Sequence, residues 1–421
     1  MIENIPLLNL QSLFGFFVLL IIAWLFSENR RLVNARFLLA GIALQFLLAI
    51  LLLKIPLLKD GLAALNQLVL ALQQSTEAGT SFVFGYLGGG DTPYDLTKPQ
   101  NSFILAFKAL PLVIVISAIT AILTYWKVLP WLIRLFSLGL EKTMGISGSL
   151  GLVTAANIFV GMVEAPLFIR PWIKQLTRSE LFTLMTVGMA TIAGTVLVLY
   201  ATMIGDAIPN AIGHLLTASL ISAPAALVIA RLMVPEDSQS RIQTIDIENT
   251  ANSTMNALTQ GTQSGLKLFL NIIAILIVLV ALVHLVNLGL GVLPDVAGKA
   301  ITLERMLGYI MAPIVWLMGI PWSEAMTAGS LMGVKTILNE FLAYLQLANL
   351  PEGTLSDRSQ LIMIYALCGF ANFGSLGIMI AGLTTMAPER RDDILSLGFK
   401  SILAGTITTC CTGAVIGVLV T

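Results

Sequence analysis

The chain has 421 residues, of which 57% are hydrophobic and 11% charged, and its formal net charge is zero. A soluble domain usually carries about 25% charged residues; a chain this poor in charge cannot cover a water-facing surface, so lipid is the surface it suits. The balanced charge gives no ground for nucleic-acid binding. Cys368, Cys410 and Cys411 sit in apolar runs without metal-ligand or disulfide spacing. His214 and His284 lie far apart near segment ends, where a histidine is more often interfacial than a ligand.

A bilayer core of about 30 Å needs roughly 20 apolar residues in a helix. Residues 1–10 lack the basic stretch of a cleavable signal peptide, and the run that follows is too long for one, so it reads as a retained span. Spans are predicted at 11–26, 37–58, 103–126, 181–203, 215–234, 268–292, 361–386 and 394–420. Two further stretches, 145–169 and 322–348, are apolar but interrupted by glycines and polar residues. Each is too broken for a simple span and too apolar for a soluble loop.

Basic residues set the orientation, because short cytoplasmic loops carry excess Lys and Arg. Arg30, Arg31 and Arg36 place the first loop inside and both termini outside. The loop 85–101, with Asp91, Asp95 and Lys98, reads as external. Lys127, Arg134 and Lys142 precede the first broken stretch, and Arg170, Lys174 and Arg178 follow it. Both its ends are therefore cytoplasmic, and it must be a re-entrant hairpin. The fourth span exits to Asp206 and the fifth returns to Arg231; the polar segment 235–262 reads as a cytoplasmic linker. The second broken stretch is followed by Pro351, Glu352, Asp357 and Arg358, without basic excess, and reads as a hairpin entered from outside.

An internal repeat agrees with this inversion. Arg178-Ser179-Glu180-Leu181 is echoed by Arg358-Ser359-Gln360-Leu361, and Gly194-Thr195 by Gly374-Ser375 at the same offset. Inverted repeats with discontinuous helices are the usual build of secondary transporters, with the substrate site near the midplane between them. The expected fold is an all-α polytopic membrane protein of about eight transmembrane helices plus two opposed re-entrant hairpins. The expected division is 1–144 mainly scaffold, 145–234 a first transport repeat, 235–303 linker and scaffold span, and 304–421 a second transport repeat.

Polar residues at membrane depth are the candidate site. Glu164 lies between Gly161 and Pro166, and Glu340 follows Gly333-Val334-Lys335-Thr336-Ile337-Leu338-Asn339. An intramembrane carboxylate costs about 3 kcal/mol and is kept where it lines a cavity or meets a partner. A purely structural tie from the hairpin tip to a neighbouring helix is the plainer reading. Lys335 is placed to neutralise Glu340, and Asn339 to cap or brace the tip. In Cys368-Gly369-Phe370-Ala371-Asn372-Phe373-Gly374-Ser375 the glycines permit unwinding, and Asn372 and Ser375 fall on one helix face. An amide and a hydroxyl suit a polyhydroxylated ligand, or equally an interhelical hydrogen bond.

The runs Gly333 to Tyr344, Ala366 to Ile378 and Gly161 to Leu167 resemble the concentrative nucleoside transporter family, and the resemblance extends over nearly the whole chain. It implies a homotrimer with an elevator-like transport domain that couples nucleoside uptake to sodium or protons. It also implies that Glu340, Asn372 and Ser375 contact the ribose, that Phe370 packs near the nucleoside, and that Glu164 lies on the nucleobase side. Asn157, the Val160 carbonyl, Thr191 and the Ile192 carbonyl would match the family's sodium site. Two departures stand out. Met162 and Val163 replace a Gln and a Thr common before the hairpin glutamate, which removes two side chains able to hydrogen-bond a base. Thr191 stands where serine is common and keeps its hydroxyl.

The expected function is thus a secondary-active, cation-coupled nucleoside importer of the inner (plasma) membrane, with no enzymatic activity and no cofactor. Sodium is the preferred coupling ion and the proton the alternative. The rival reading is a passive channel or facilitator for a polar solute, which the inverted repeat disfavours. An intramembrane enzyme using Glu164 and Glu340 as acid and base lacks a metal cluster or a paired nucleophile.

Overall fold

The computed structural model describes residues 5–95, 103–205, 208–237, 251–296, 298 and 300–420. Lys98, Asn101 and Asp206, together with 238–250 of the predicted linker, lie outside them. The helices in chain order are α1 (Ile5–Leu25), α2 (Ala35–Lys54), α3 (Pro56–Phe84), α4 (Leu105–Lys108), α5 (Leu112–Tyr125), α6 (Val128–Met144), α7 (Gly148–Phe159), α8 (Glu164–Leu167) and α9 (Arg178–Ala190). They continue with α10 (Gly194–Ile204), α11 (Ala211–Met233), α12 (Thr254–Leu290), α13 (Leu303–Leu317), α14 (Trp322–Ile337), α15 (Glu340–Ala348), α16 (Asp357–Leu367), α17 (Phe373–Met386) and α18 (Arg391–Leu419). Among the described residues, seven helices are long and apolar enough to cross a bilayer, or eight if α13 and α14, bent by 118°, count as one span.

The predicted spans appear with shifted ends. The run 37–58 stops at Lys54 because Pro56 cannot continue α2 and instead opens α3 from its first position. Helices α3, α6 and α13 lie outside the predicted elements; polar residues such as Arg134, Glu141 and Lys142 on α6 hide their helical period from a search for apolar runs. The predicted linker ends early: α12 begins at Thr254, where the Ser253 hydroxyl accepts from the Asn256 N–H at 3.1 Å. The polar residues after it bond locally, Gln260 donating to Asn256 at 2.9 Å, and so need no loop.

Both broken stretches are hairpins, α7 with α8 and α14 with α15. Both long spans that follow are themselves split. The first runs from the Thr177 cap through α9, breaks at 191–193 and resumes as α10; the second runs from the Ser356 cap through α16, breaks at 368–372 and resumes as α17. The repeat read in the sequence is therefore a repeat of helix, break and helix. These elements, with α11 and α18, form the buried interior.

Close approach holds two other regions. On α12, a Cβ at Gly261 would lie 2.7 Å from the Ala118 Cα of α5, and one at Gly265 2.7 Å from the Ile114 Cα, so small residues seat these helices backbone to backbone. Elsewhere α1 is clasped between α13 and α18. Its Gln11 amide donates to the Trp316 carbonyl at 2.6 Å, and Gly417 of α18 lets Ser12 and the Met318 carbonyl approach. Arg358 completes the clasp by donating to the Gly417 carbonyl at 2.6 Å, to Ser12 at 3.2 Å and to the Val420 carbonyl.

Candidate functional site

The two broken helices meet each other at their breaks. A Cβ at Gly369 would fall 3.0 Å from the Ala190 backbone at the end of α9, and one at Gly405 of α18 would fall 2.5 Å from the Met189 Cβ. Glycine at both positions lets the two unwound segments and α18 converge.

Glu340 is the first residue of α15, directly after the Asn339 cap, whose side chain accepts from the Leu342 N–H at 2.9 Å. A carboxylate suits this position because a helix N-terminus carries free N–H groups and a positive dipole end. It is buried, and both its oxygens are engaged. Tyr200 of α10 donates to Oε1 at 2.6 Å, and Asn372 donates to Oε2 at 2.8 Å. One residue from each repeat's broken span thus holds the hairpin carboxylate. The Asn372 oxygen accepts from the Ser375 N–H at 2.7 Å. Asn372 is therefore the extended N-cap of α17, and not a helical neighbour of Ser375 as its spacing implies. The glycine-flanked segment before it unwinds, which moves Asn372 off the helix. Phe370 lies half-buried within the same break.

Lys335 does not pair with Glu340. Its ammonium donates to the Ala366 carbonyl at 2.8 Å and to the Thr409 hydroxyl at 2.9 Å. The α14–α15 break turns the chain between the two residues, so their sequence proximity does not become contact.

Glu164 also opens the second arm of its hairpin, as the first residue of α8. Unlike Glu340 it is exposed. Gly161, with φ +104°, sits beside its carboxylate. Met162 approaches Gly188 of α9, and Val163 approaches Gly382 of α17, so both apolar replacements face helices of the interior.

Asn157, in the last turn of α7, donates to the Val187 carbonyl at 3.0 Å and to the Thr191 hydroxyl at 2.6 Å. Thr191 donates in turn to Val187 at 3.0 Å. Asn157 thus bridges to the end of α9 and does not cap its own helix. Ile192 is buried in the same break, and Val160 closes α7. The nearby hydroxyls of Thr154 and Thr186 are buried without a hydrogen-bond partner.

Sequence reasoning missed Tyr200. It is fully buried, stacks near Tyr344 with ring centroids 5.2 Å apart, and reaches across to the second hairpin. A tyrosine in an apolar run reads as an interfacial or core residue; its place just past the first break is the signal that could have found it.

Two broken hairpins, two broken spans and a shared buried carboxylate define a membrane transporter built on an inverted repeat. Comparison with known proteins gives the family. Profiles described as Na+ dependent nucleoside transporter N-terminus and C-terminus match residues 14–87 and 214–417, and one described as nucleoside recognition matches 106–207. The chain is 35% identical to the nucleoside permease NupC of Helicobacter pylori over 421 residues, covering 98% of each protein. It is similar to CNTnw in an inward-facing substrate-bound state (TM-score 0.89, 34% identity, 98% of this chain and 97% of that one). It is equally similar to a substituted CNTnw in an outward-facing state (TM-score 0.90, 34% identity, 98% of each chain). The protein belongs to the concentrative nucleoside transporter family; its relatives are transporters, not enzymes.

Proposed function

We propose that the protein imports nucleosides by secondary-active, elevator-type alternating access, driven by a cation gradient. The observation that carries the proposal is Glu340, buried at a helix N-terminus and held by Tyr200 and Asn372 from the two repeats. A ligand with two neighbouring hydroxyls can join these donors on the carboxylate's free lone pairs, which suits a ribose. In this reading Glu340, Asn372 and Ser375 bind the sugar, Phe370 packs against the nucleoside, and Glu164 faces the base. Met162 and Val163 offer the base no hydrogen bond, so recognition rests on the sugar side.

Sodium is the proposed coupling ion. Asn157, Thr191 and the carbonyls of Val160 and Ile192 supply the hard oxygens it prefers. The mobile part comprises 145–234 and 304–421, carried against a scaffold drawn from 1–144 and 235–303. Relatives described in inward- and outward-facing states support alternating access over a passive channel. We place the protein as a homotrimer in the inner (plasma) membrane with both termini outside. The test is uptake into proteoliposomes against a nucleoside panel, with sodium and proton gradients imposed separately. Uphill accumulation driven by sodium is expected; flux that only equilibrates the solute would favour the channel.

A further inference from the structure

The inverted repeat sets one hairpin residue against one carbonyl of a broken helix, twice, and the two pairs differ in charge. Asn157 stands two residues before the end of α7, and Lys335 two residues before the end of α14. Val187 and Ala366 each lie ten residues past their N-caps, Thr177 and Ser356. Asn157 donates to the Val187 carbonyl at 3.0 Å, and Lys335 to the Ala366 carbonyl at 2.8 Å. Each donor also reaches a threonine hydroxyl, Thr191 at 2.6 Å and Thr409 at 2.9 Å. Thr191 belongs to the split helix itself and Thr409 to α18, so what recurs is the donor–carbonyl contact, while its chemistry changes: a neutral amide in the first repeat, an ammonium in the second.

The end of a half-helix leaves carbonyls without intrahelical partners and carries the negative end of the dipole, so a positive charge is favoured there. Lys335 is fully buried, and among the described residues no carboxylate makes a direct salt bridge with it, Glu340 acting on it only through space. Thr409 spends its own proton on the Thr406 carbonyl at 3.1 Å and so accepts from Lys335. Carbonyl and hydroxyl oxygens around a cationic nitrogen are the ligand types an alkali cation would take.

We propose that Lys335 is a tethered cation: its ammonium fills the second repeat's counterpart of the ion position at Asn157 and Thr191, leaving one exchangeable cation for the pair of repeats. The proposal rests on the reading of Asn157 and Thr191 as an ion position. A tethered charge travels with the protein in both directions, so it adds nothing to the net charge moved per cycle.

The test uses the purified full chain. Thermal unfolding is followed against sodium chloride, with choline chloride holding ionic strength, for wild type, Lys335→Asn and Lys335→Met. Wild type should be stabilised by sodium with one-site dependence. Lys335→Asn, which restores the first repeat's chemistry, should melt lower without sodium and recover with two-site dependence. Lys335→Met should melt lower and gain no more from sodium than wild type. If wild type responds and Lys335→Asn gains nothing further, the tethered cation is wrong while the first ion position stands. If wild type ignores sodium and Lys335→Asn acquires a response, the first ion position is wrong, and the claim that Lys335 fills its counterpart falls with it. Lys335→Met with wild-type melting and uptake would also overturn the proposal. Should the variants fail to fold, the charge moved per nucleoside by wild type in proteoliposomes decides: one charge is expected, and two would refute it.

Discussion

Replacing Glu340 by glutamine keeps the side chain's size and removes its charge. The carboxylate accepts from Tyr200 at 2.6 Å and from Asn372 at 2.8 Å. An amide can accept through its oxygen alone, and its nitrogen toward Asn372 would set two donors face to face. Glutamine must therefore turn its nitrogen toward Tyr200, whose hydroxyl then reverses and accepts. Both bonds fall from charge-assisted to neutral, from about 1.5–3 to about 1 kcal/mol each. In the bound state the carboxylate's remaining lone pairs accept from sugar hydroxyls, and glutamine weakens these added bonds by the same amount, a loss the empty site does not share. Two weakened bonds amount to roughly 1–4 kcal/mol, and about 1.4 kcal/mol is a factor of ten in affinity. Nucleoside affinity should fall by roughly fivefold to several hundredfold, as read by isothermal titration on purified protein, with thermal unfolding confirming the fold. Wild-type affinity in a well-folded Glu340→Gln protein would refute the assignment of Glu340 to the sugar.

Three other outcomes are expected. Tyr200→Phe should weaken nucleoside binding and couple with Glu340→Gln in a double-mutant cycle, the double variant losing less than the two singles together; strict additivity would separate Tyr200 from the site. In competition assays 2′- or 3′-deoxynucleosides should lose more affinity than a change of base costs, because each missing hydroxyl removes a charge-assisted hydrogen bond to the Glu340 carboxylate; selection for one base with indifference to the ribose would reverse the sugar-side reading. Thr191→Val should raise the sodium concentration needed for uptake, with partial recovery at high sodium; uptake that follows pH alone would make Asn157 and Thr191 structural.

Apolar runs and charged loops made the span order and both hairpins legible in the sequence. They failed where helix and apolarity part company. The polar start of α12 read as linker because Asn256 and Gln260 satisfy each other along the helix, and composition does not record that. Helix α6 fell between the predicted elements because its polar residues break up the apolar run. At the site, Glu340 and Asn372 were legible because a polar group in lipid needs a reason to be there. Lys335 was legible as a residue but not as a contact: five positions from Glu340 implied an ion pair, and the break between α14 and α15 sends its ammonium to Ala366 and Thr409. Tyr200 was silent because only the fold brings α10 to the second hairpin.

The clasp around α1 bears on how the protein is made. Gln11, Ser12 and Gly15 lie on a helix that is synthesised early, and they find their partners on α13, α16 and α18, which are synthesised late. At ordinary elongation rates α1 waits in the bilayer for roughly 20–80 s before Arg358 and Gly417 exist to hold it. Insertion and assembly are therefore separate events for this helix, and a ribosome stalled before α18 would leave an inserted but unlatched first span. The last helix thus closes contacts that the first helix carries, and a chain lacking it would leave Ser12 without its neighbour Gly417.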